Sequence, residues 1–489
     1  MRFLAIIPHM IASQQEIFSV LRQFNPWWEQ GAPDVPAWRR LAFGELRTWV
    51  TQPPARRALL VSGARQVGKT TLLLQVIQSL LTDGVRPEQI LYTTLDHPLL
   101  KLVGIEGLLK TWREVQPKPK GIEYLFIDEI QYAKDWQTWL KHQVDFEKSR
   151  RIVVTGSAVP LNTENLESGV GRWHTIRLST LSFAEYLLIK KIDPPKLPVI
   201  DSLTAIRSWK PGEFVQVGET ARLLVPHFHE YLLRGGFPQT AMIESVVLAQ
   251  KLLREDIVDK VLKRDMTALY GVRRVLELEK TFLYLCLHDS GILDTTALCT
   301  NLSVTKPTVN NFLDLLEAAH LIHRLPPFGY GKQVLRARYK VYLADAAIAG
   351  SVLLKGKGLL EDTARLGTAV ETAVHKHLHA RCAATGAALS YWRGGRGEHE
   401  VDFVEEGPNG LTPFEVKYTQ GSVQPDDLKG MTLFCAERKL DLGCVITRDM
   451  GDLGLLALPI KNGKKTAAST MVRVPAPLAC YWLSQGQIG

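Results

Sequence analysis

A glycine-rich loop between an apolar run and a helical pattern constrains the fold of this chain more than any other feature. The apolar run covers residues 58–61, and Gly-Ala-Arg-Gln-Val-Gly-Lys-Thr follows over residues 63–70. Apolar residues with helical spacing continue over residues 72–80. A strand, a glycine loop and a helix in this order are typical of a loop that binds a triphosphate. The sequence therefore predicts an α/β fold organised around a phosphate-binding loop.

The residue types in this loop fit the chemistry of phosphate binding. Gly63 and Gly68 let the backbone approach phosphate oxygens, and the start of the following helix attracts negative charge. Lys69 would bridge the outer phosphates, and the hydroxyl of Thr70 would bind Mg²⁺. We therefore predict ATP and Mg²⁺ as cofactors; a plain glycine turn before a helix is the alternative. The predicted nucleotide contacts are Gly63, Ala64, Arg65, Gln66, Val67, Gly68, Lys69, Thr70 and Thr71.

A second apolar run ends in two acids. Four apolar residues precede Asp128 and Glu129, which predicts a buried parallel strand whose carboxyl end delivers both acids to the nucleotide. Asp128 would hold hydrated Mg²⁺, and Glu129 would polarise the attacking water. A further strand ends near Thr155 and Ser157, and either hydroxyl could reach the γ-phosphate or the water. The alternation of strands and helices over residues 57–157 predicts a parallel sheet with helices on both faces.

Composition limits the class of protein and its partners. With 489 residues the chain can form several domains, and its net charge of +9 favours a polyanionic partner such as DNA. A charge that serves only solubility is the alternative. The six cysteines include no CxxC pair, which argues against a zinc site or a disulfide framework. No signal peptide or membrane-spanning run is evident, so we expect a cytoplasmic protein without a membrane partner.

Six short motifs together resemble one family. The chain resembles the prokaryotic AAA-like P-loop ATPases, grouped with archaeal-type and STAND-related ATPases, that carry a C-terminal domain formerly of unknown function. The resemblance covers most of the chain and implies an ATPase. It departs before Arg172, where relatives more often show Leu-Ala ahead of the Gly-Arg pair. The motifs are Asn-Pro-Trp-Trp (25–28), the glycine loop, Ile-Asp-Glu-Ile-Gln (127–131), Thr-Gly-Ser (155–157), Leu-Ser-Phe-Ala-Glu-Tyr-Leu (181–187) and Leu-Arg-Gly-Gly-Phe-Pro (233–238).

Two arginines are candidates for contact with the nucleotide. Arg172 could supply an arginine finger, either to its own nucleotide or to that of a neighbour in a self-associated form such as a ring. A surface arginine that pairs with a carboxylate is the alternative. Arg234 precedes two glycines and could contact the nucleotide from the lid side, where a packing role is equally compatible with the pattern.

Residues 273–343 show three short helical patterns followed by two strand-like runs. This order predicts a helix-turn-helix with a wing, and the family resemblance also implies a winged helix. A protein-binding module or a lid is the alternative to DNA binding. The predicted recognition residues are Thr305, Lys306, Thr308 and Asn310, and the residues available to phosphates are Arg324, Lys332, Arg336, Arg338 and Lys340.

Near the C-terminus, a predicted helix that carries Glu371 precedes three predicted strands. Asp402 and Glu415, with the carbonyl of Val416, have the spacing of a metal-nuclease site, and Glu371 would complete the oxygen shell. Lys417 would steady a metal-bound hydroxide or the scissile phosphate. These residues look like the PD-(D/E)xK nuclease fold, in which case the chain has a second metal site. A fold that binds DNA or packs without cleavage is the alternative.

The predicted fold is a P-loop NTPase parallel sheet with a helical lid, followed by a winged helix and a small α/β restriction-endonuclease-like domain. We expect Trp27 and Trp28 to staple the leader to its neighbour, and a role in stacking on a ligand is the alternative. The predicted function is a Mg²⁺-dependent ATPase that binds and remodels DNA, with an ATP-gated nuclease and a slow switch in defence or signalling as alternatives. The predicted domains are a leader (1–50), the ATPase core (51–180), the lid (181–262), the winged helix (263–345) and the nuclease-like domain (346–489).

Overall fold

The chain forms two compact units in a computed structural model. One unit contains Met1–Leu178 with Ala318–His320, and the other contains Ser179–Glu317 with Leu321–Gly489. The residues that the structure describes are 13–29, 31–117, 121–157, 171–329, 338–394, 399–408, 410–462 and 465–485. None of the helices in these ranges is both long enough and apolar enough to cross a membrane.

A parallel five-stranded sheet forms the centre of the first unit. Its strands are β1 (Ala58–Ser62), β2 (Ile90–Thr94), β3 (Glu123–Asp128), β4 (Arg150–Gly156) and β5 (Trp173–Arg177). Their order is β2-β3-β4-β1-β5, and each neighbouring pair is parallel. Strands β1 and β3 are buried along their whole length, as expected where both faces of a parallel sheet are covered. The prediction of a parallel α/β sheet is confirmed.

Five described helices accompany this sheet. They are α1 (Gln14–Phe24), α2 (Ala42–Thr51), α3 (Lys69–Thr82), α4 (Pro98–Val115) and α5 (Trp136–Phe146). The helical pattern of residues 14–24 predicts α1 with these bounds, and a capping box between Ser13 and Glu16 marks its start. The sequence pattern predicts a helix near residues 103–115, and α4 begins five residues earlier because Gly104, with a φ of 72°, interrupts the helical pattern. The helical spacing of apolar residues after Gly104 therefore does not continue into the segment before it.

The leader is fastened to strand β2. The side chain of Asn25 pairs with the backbone of Tyr92: its amide donates to the carbonyl oxygen at 2.8 Å, and its own oxygen accepts from the N–H at 2.7 Å. Trp27 and Trp28 both donate their indole N–H to the carbonyl oxygen of Ile90, at 3.4 and 3.0 Å. These contacts confirm the prediction that the tryptophans staple the leader to the neighbouring domain.

The second unit begins with helices. They are α6 (Phe183–Ile189), α7 (Pro211–Ala221), α8 (Leu224–Arg234), α9 (Pro238–Met242) and α10 (Val246–Arg254), followed by a π-helical segment (Glu255–Asp265) and α11 (Met266–Tyr270). Buried aromatic rings of α6 and α8 pack together, with ring centroids 5.2 Å apart for Phe183 and Phe228 and 5.3 Å apart for Tyr186 and Tyr231. The helix-rich character predicted for residues 181–255 is confirmed.

A group of short helices and a small antiparallel sheet follows. Its elements are α12 (Val275–Leu287), β6 (Gly291–Ile292), α13 (Thr295–Leu302), α14 (Lys306–Ala318), β7 (Ile322–Leu325) and β8 (Lys340–Leu343). The sheet order is β6-β8-β7, so β8 is its central strand. The helical patterns in the sequence cover residues 276–289, 295–302 and 306–320, and the three helices begin and end within two residues of these bounds. The carboxylate of Asp294 caps α13 by accepting from the N–H groups of Thr296 and Ala297.

A six-stranded mixed sheet lies at the end of the chain. The elements are α15 (Ala347–Val352), α16 (Thr363–Thr385), β9 (Ala388–Gly394), β10 (His399–Gly407), β11 (Gly410–Lys417), α17 (Lys429–Arg438), β12 (Leu442–Thr447), β13 (Gly454–Asn462), β14 (Lys465–Pro475) and α18 (Ala476–Gln485). The order is β13-β14-β12-β11-β10-β9. Strands β9, β10 and β11 are antiparallel, whereas β11, β12 and β14 are parallel. The predicted helix followed by three strands is therefore present as α16 and β9–β11.

Candidate nucleotide site and acidic cluster

The glycine loop connects β1 to α3 in a conformation that suits an anion. Gln66 and Gly68 have positive φ angles of 62° and 92°, and such turns point successive N–H groups into one concavity. A Cβ atom on Gly63 would lie 2.1 Å from the carbonyl oxygen of Leu178, so glycine is the only residue that fits there. The backbone of the loop therefore fits the phosphate tail of a nucleotide.

The ammonium group of Lys69 lies inside this loop. It donates to the carbonyl oxygens of Gly63 at 3.0 Å and Ala64 at 2.9 Å, and the side chain is buried. Burial lowers the pKa of Lys69, and the negative charges of Glu129 and Asp128 oppose this effect. A buried cation at a concavity of N–H groups is placed to neutralise phosphate charge.

Asp128, at the end of β3, receives hydrogen bonds from three hydroxyl groups. Thr70 and Tyr92 donate to Oδ2 at 2.6 and 3.0 Å, and Thr155 donates to Oδ1. Burial raises the pKa of Asp128 above its usual value, and the hydrogen bonds from Thr155 and Thr70 lower it in part. The predicted metal ligands Thr70 and Asp128 therefore lie in contact. A hydroxyl and a carboxylate form the hard oxygen donor set that fits Mg²⁺.

Glu129 is held by two polar side chains. Its φ of 55° is unusual for a residue other than glycine, and its N–H donates to Thr155 Oγ1 at 3.0 Å. The carboxylate accepts from Ser157 Oγ at 3.0 Å and from the amide of Gln131. Gln131 also donates to Ser157 Oγ at 2.9 Å. Ser157, predicted to be catalytic, is thus placed beside the predicted general base.

Three residues of this site were missed by sequence reasoning. Tyr92 contacts Asp128, Gln131 contacts Glu129, and Arg40 of the leader donates to the carbonyl oxygen of Val67 at 2.5 Å. Gln131 belongs to the quoted Ile-Asp-Glu-Ile-Gln motif, so its polar character beside the acids was an available signal. The other two belong to no motif, and only the folded chain brings them to the loop.

The two candidate arginines have different surroundings. Arg172 lies just before β5, and its guanidinium is 3.3 Å from a carboxylate oxygen of Asp145. This pairing matches the alternative to an arginine finger, which stays a prediction. Arg234 lies in the second unit, where it donates to the carbonyl oxygens of Ile243 and Glu244 at 2.9 and 2.5 Å and pairs with Glu230 at 2.9 Å. These contacts favour a packing role for Arg234.

A second group of charged residues lies in the second unit; its four carboxylates, Glu371, Glu400, Asp402 and Glu415, are called the acidic cluster below. Asp402 Oδ2 accepts from the N–H of Val416 at 2.9 Å, and Glu415 Oε2 accepts from the N–H of Asp402 at 3.3 Å. Lys417 pairs with Glu415 at 2.7 Å. Burial raises the pKa of Glu371 to about 7 and that of Glu415 to about 8. The fold thus brings together the residues that the nuclease-like spacing singled out.

Lys340 lies among these carboxylates. Its ammonium is 2.6 Å from Glu400 Oε1, 3.1 Å from Asp402 Oδ1 and 3.3 Å from Glu371 Oε1, and its side chain is only 4% exposed. Burial by itself lowers the pKa of Lys340, but Tyr342 and the acids outweigh burial and hold that pKa well above its usual value. The prediction that Lys340 is available to phosphates is wrong. Strand β8 is the buried central strand of its sheet, not an exposed wing.

With Lys340 in this position, the acidic cluster does not fit a divalent metal ion. The ammonium group takes up three of the carboxylate oxygens that a metal would need, and like charges would repel. Within the described ranges, no set of three or more His, Cys, Asp or Glu side chains is arranged to hold a metal ion. The second metal site at Glu371, Asp402 and Glu415 therefore stays a prediction, and the position of Lys340 argues against it.

The other predicted DNA contacts divide into exposed and internally paired residues. Thr305, Lys306 and Asn310 are exposed around the start of α14, where the hydroxyls of Thr305 and Thr308 lie 2.9 Å apart. Arg324 is not available to phosphates as predicted, because it forms ion pairs of 2.7 and 2.5 Å with the acids of α14. Arg338 pairs more loosely with Asp294 at 3.5 Å, and Lys332 and Arg336 lie outside the described residues.

Family profiles match three successive parts of the chain. Residues 55–187, which contain the glycine loop and the acid pair, match an AAA domain. These residues are called the AAA domain below, after the family that they match. Residues 225–358 match a domain of unknown function, DUF8612, and residues 366–462 match another, DUF4143. The AAA domain therefore covers the predicted ATP site, whereas the two other matches name no activity.

Three relatives are similar to most of this chain. A protein of Haemophilus influenzae is 27% identical over 299 residues, which cover 58% of this chain and 66% of that protein. Two proteins of Methanocaldococcus jannaschii are 25% and 24% identical, over 69% and 72% of this chain and 70% and 72% of their own lengths. All three are described as uncharacterized. The chain spans about two thirds of the H. influenzae protein, so the activity and partners of the whole protein are proposals.

Two solved structures show a weaker likeness. AMPPCP-bound DnaA from Aquifex aeolicus is 15% identical with a TM-score of 0.26, and covers 58% of this chain and 89% of its own. PCH-2 from C. elegans is 16% identical with a TM-score of 0.25, and covers 43% of this chain and 60% of its own. These scores are too low to support an argument about this chain.

Proposed function

We propose that this chain is a Mg²⁺-dependent ATPase of the AAA type. The observation that carries the proposal is the contact of 2.6 Å between Thr70 and Asp128, beside the buried ammonium of Lys69. In this proposal Lys69 binds phosphate oxygens, Thr70 and Asp128 hold the ion, and Glu129 polarises the attacking water. Mg²⁺, when bound, supplies Lewis-acid stabilisation of charge on the phosphates.

Two polar side chains restrain the acid that would activate water. Gln131 and Ser157 both donate to the carboxylate of Glu129. A hydrogen bond to a charged group contributes about 1.5–3 kcal/mol, so these contacts are strong enough to favour one orientation of the acid. We propose that both side chains hold Glu129 in a resting orientation, so that hydrolysis requires these hydrogen bonds to break. Arg172 is proposed to act on the nucleotide of a neighbouring copy in a self-associated form.

The proposed partner is DNA. The order of α12, α13, α14, β7 and β8 supports a winged helix, and the exposed polar residues at the start of α14 support contact with a groove. The net charge of +9 supports attraction to phosphates. Arg324 and Lys340 do not support it, because both are paired within the protein. The proposal therefore depends on Lys306 and its polar neighbours Thr305, Thr308 and Asn310.

Binding of labelled duplex DNA, measured by fluorescence anisotropy at several salt concentrations, tests the DNA proposal. We expect affinity to fall steeply as salt rises, and Lys306→Ala to reduce the slope of log affinity against log salt by about one. Lys196→Ala removes the same charge from an exposed position outside the proposed winged helix and should leave the slope unchanged. A flat salt dependence of the wild-type protein would remove DNA as the partner.

A slow nucleotide-dependent switch is a second candidate function. The restraint of Glu129 by Gln131 and Ser157 favours it, because a restrained base hydrolyses ATP slowly. The two candidates differ in turnover. An ATPase that acts on DNA should be stimulated by duplex DNA or by four-way junctions. Turnover below about one per minute that no DNA form changes would support the switch.

A further inference from the structure

The acidic cluster brings more negative charge into one place than its motif lysine can balance. Four carboxylates, those of Glu371, Glu400, Asp402 and Glu415, form ion pairs with Lys340 or Lys417, and Lys417 pairs only with Glu415 among them. Buried carboxylates that lie close together are costly unless a cation compensates them. In a site built to bind a metal, that cation would be a divalent ion.

Here the compensating cation is a side chain from outside the cluster. The ammonium of Lys340 reaches three of the four carboxylates, at 2.6 Å for Glu400, 3.1 Å for Asp402 and 3.3 Å for Glu371. An ammonium group has three N–H donors, which equals the number of carboxylates that it contacts. Each N–H donor of Lys340 can therefore bind one carboxylate, without any contribution from Lys417.

The position of Lys340 is fixed by its strand. Its backbone belongs to β8, where it pairs with Ile292 on one side and with Leu325 on the other. Tyr342, two residues further and so on the same face of the strand, donates its hydroxyl to Glu371 at 2.8 Å. The ring of Tyr342 in turn stacks on His375, with centroids 4.0 Å apart. Lys340 is thus a buried, well-supported residue, unlike a surface lysine that can swing into solvent.

We propose that Lys340 is a built-in cation that occupies the place of a divalent metal ion in the acidic cluster. The wild-type cluster then takes up neither Mg²⁺ nor Mn²⁺. A neutral residue at position 340 opens a divalent cation site formed by Glu371, Asp402 and Glu415. The proposal does not depend on ATP hydrolysis by the AAA domain, so either proposal can fail without the other.

Binding of Mn²⁺ to the full-length chain, measured by electron paramagnetic resonance without nucleotide, tests the proposal. Lys340→Met keeps a side chain of similar length and removes the charge. We expect this variant to bind one more Mn²⁺ than the wild type. Adding Asp402→Asn to Lys340→Met should abolish the gained site. A Lys340→Met variant that folds and gains no Mn²⁺ would overturn the proposal.

A matched control separates the position of the charge from its amount. Lys417→Met removes one positive charge from the same cluster and leaves Lys340 in place, so it should gain no Mn²⁺ site. An equal gain in both variants would overturn the proposal.

A second measurement needs no substitution at Lys340. Asp402→Asn alone should leave Mn²⁺ binding as it is in the wild type, whereas loss of one Mn²⁺ would show that the wild-type cluster already holds a metal.

Discussion

The nucleotide site and the acidic cluster are built from similar residues and differ in which lysine lies at their centre. In the AAA domain, Lys69 belongs to the phosphate-binding motif, and its ammonium lies in a loop whose N–H groups can bind an anion. In the cluster, the motif residue Lys417 lies at the side, and Lys340 from another strand lies among the acids. In the first site, the motif lysine Lys69 is placed to bind a phosphate. In the acidic cluster, Lys340 from outside the motif balances the negative charge of the carboxylates.

The largest effect should come from removing the lysine at the centre of the first site. Lys69→Ala deletes the charge that binds the outer phosphates, and we expect ATP turnover to fall by at least about a hundredfold. Lys417→Ala, which changes the motif lysine of the other region, should leave turnover unchanged. Phosphate release assays of both variants test this comparison. Turnover at the wild-type rate in Lys69→Ala would disprove the proposed mechanism.

The next effect concerns the acid beside that lysine. Glu129→Gln keeps the size of the side chain and removes its ability to polarise water, so turnover should fall about a hundredfold while ATP affinity stays near that of the wild type. Single-turnover hydrolysis and equilibrium binding of labelled ATP separate the two quantities. An equal loss of affinity would indicate that Glu129 serves binding rather than hydrolysis.

The pH dependence of stability should distinguish the cluster from the nucleotide site. Burial raises the pKa of Glu371 to about 7 and that of Glu415 to about 8, so the folded chain binds protons more tightly than the unfolded chain. Their contribution to stability is therefore full below the unfolded pKa near 4.5 and is lost as pH rises toward 8.

Glu415→Gln removes one of these titrations. Between pH 5 and 8, we expect the free energy of unfolding of the wild type to fall by about 1–3 kcal/mol more than that of Glu415→Gln. Urea denaturation followed across this range measures the difference. Parallel pH curves for the two proteins would show that Glu415 does not titrate in this window.

The smallest effect tests the restraint on Glu129. Gln131→Ala removes one of its two side-chain donors, and we expect basal ATP turnover to rise a few-fold. Because Ser157 still donates to the carboxylate, only part of the about 1.5–3 kcal/mol that a hydrogen bond to a charged group contributes should be recovered. Affinity for ATP should not change. Steady-state kinetics without DNA provide the measurement. A fall in turnover would mean that Gln131 positions Glu129 for reaction instead of restraining it.

The parts of the fold that follow local patterns could be predicted from the sequence. The glycine loop, the acid pair and the bounds of α1 all follow from neighbouring residues, whose spacing is fixed along the chain. Lys340 could not be placed in this way, because its partner Asp402 is 62 residues away and β8 carries no motif. The same holds for Tyr92 beside Asp128, which the sequence shows only as one position in an apolar strand. Contacts between distant segments become visible only in the folded chain.

The hydrogen bond from Arg40 to the carbonyl oxygen of Val67 connects the leader to the glycine loop. The family match begins at residue 55, so a shortened protein cut at that point would retain the glycine loop and the acid pair and lose this support. Such a protein would hold its phosphate loop less firmly and bind ATP more weakly than the full chain. The glycine loop is therefore supported by a residue that belongs to none of the motifs.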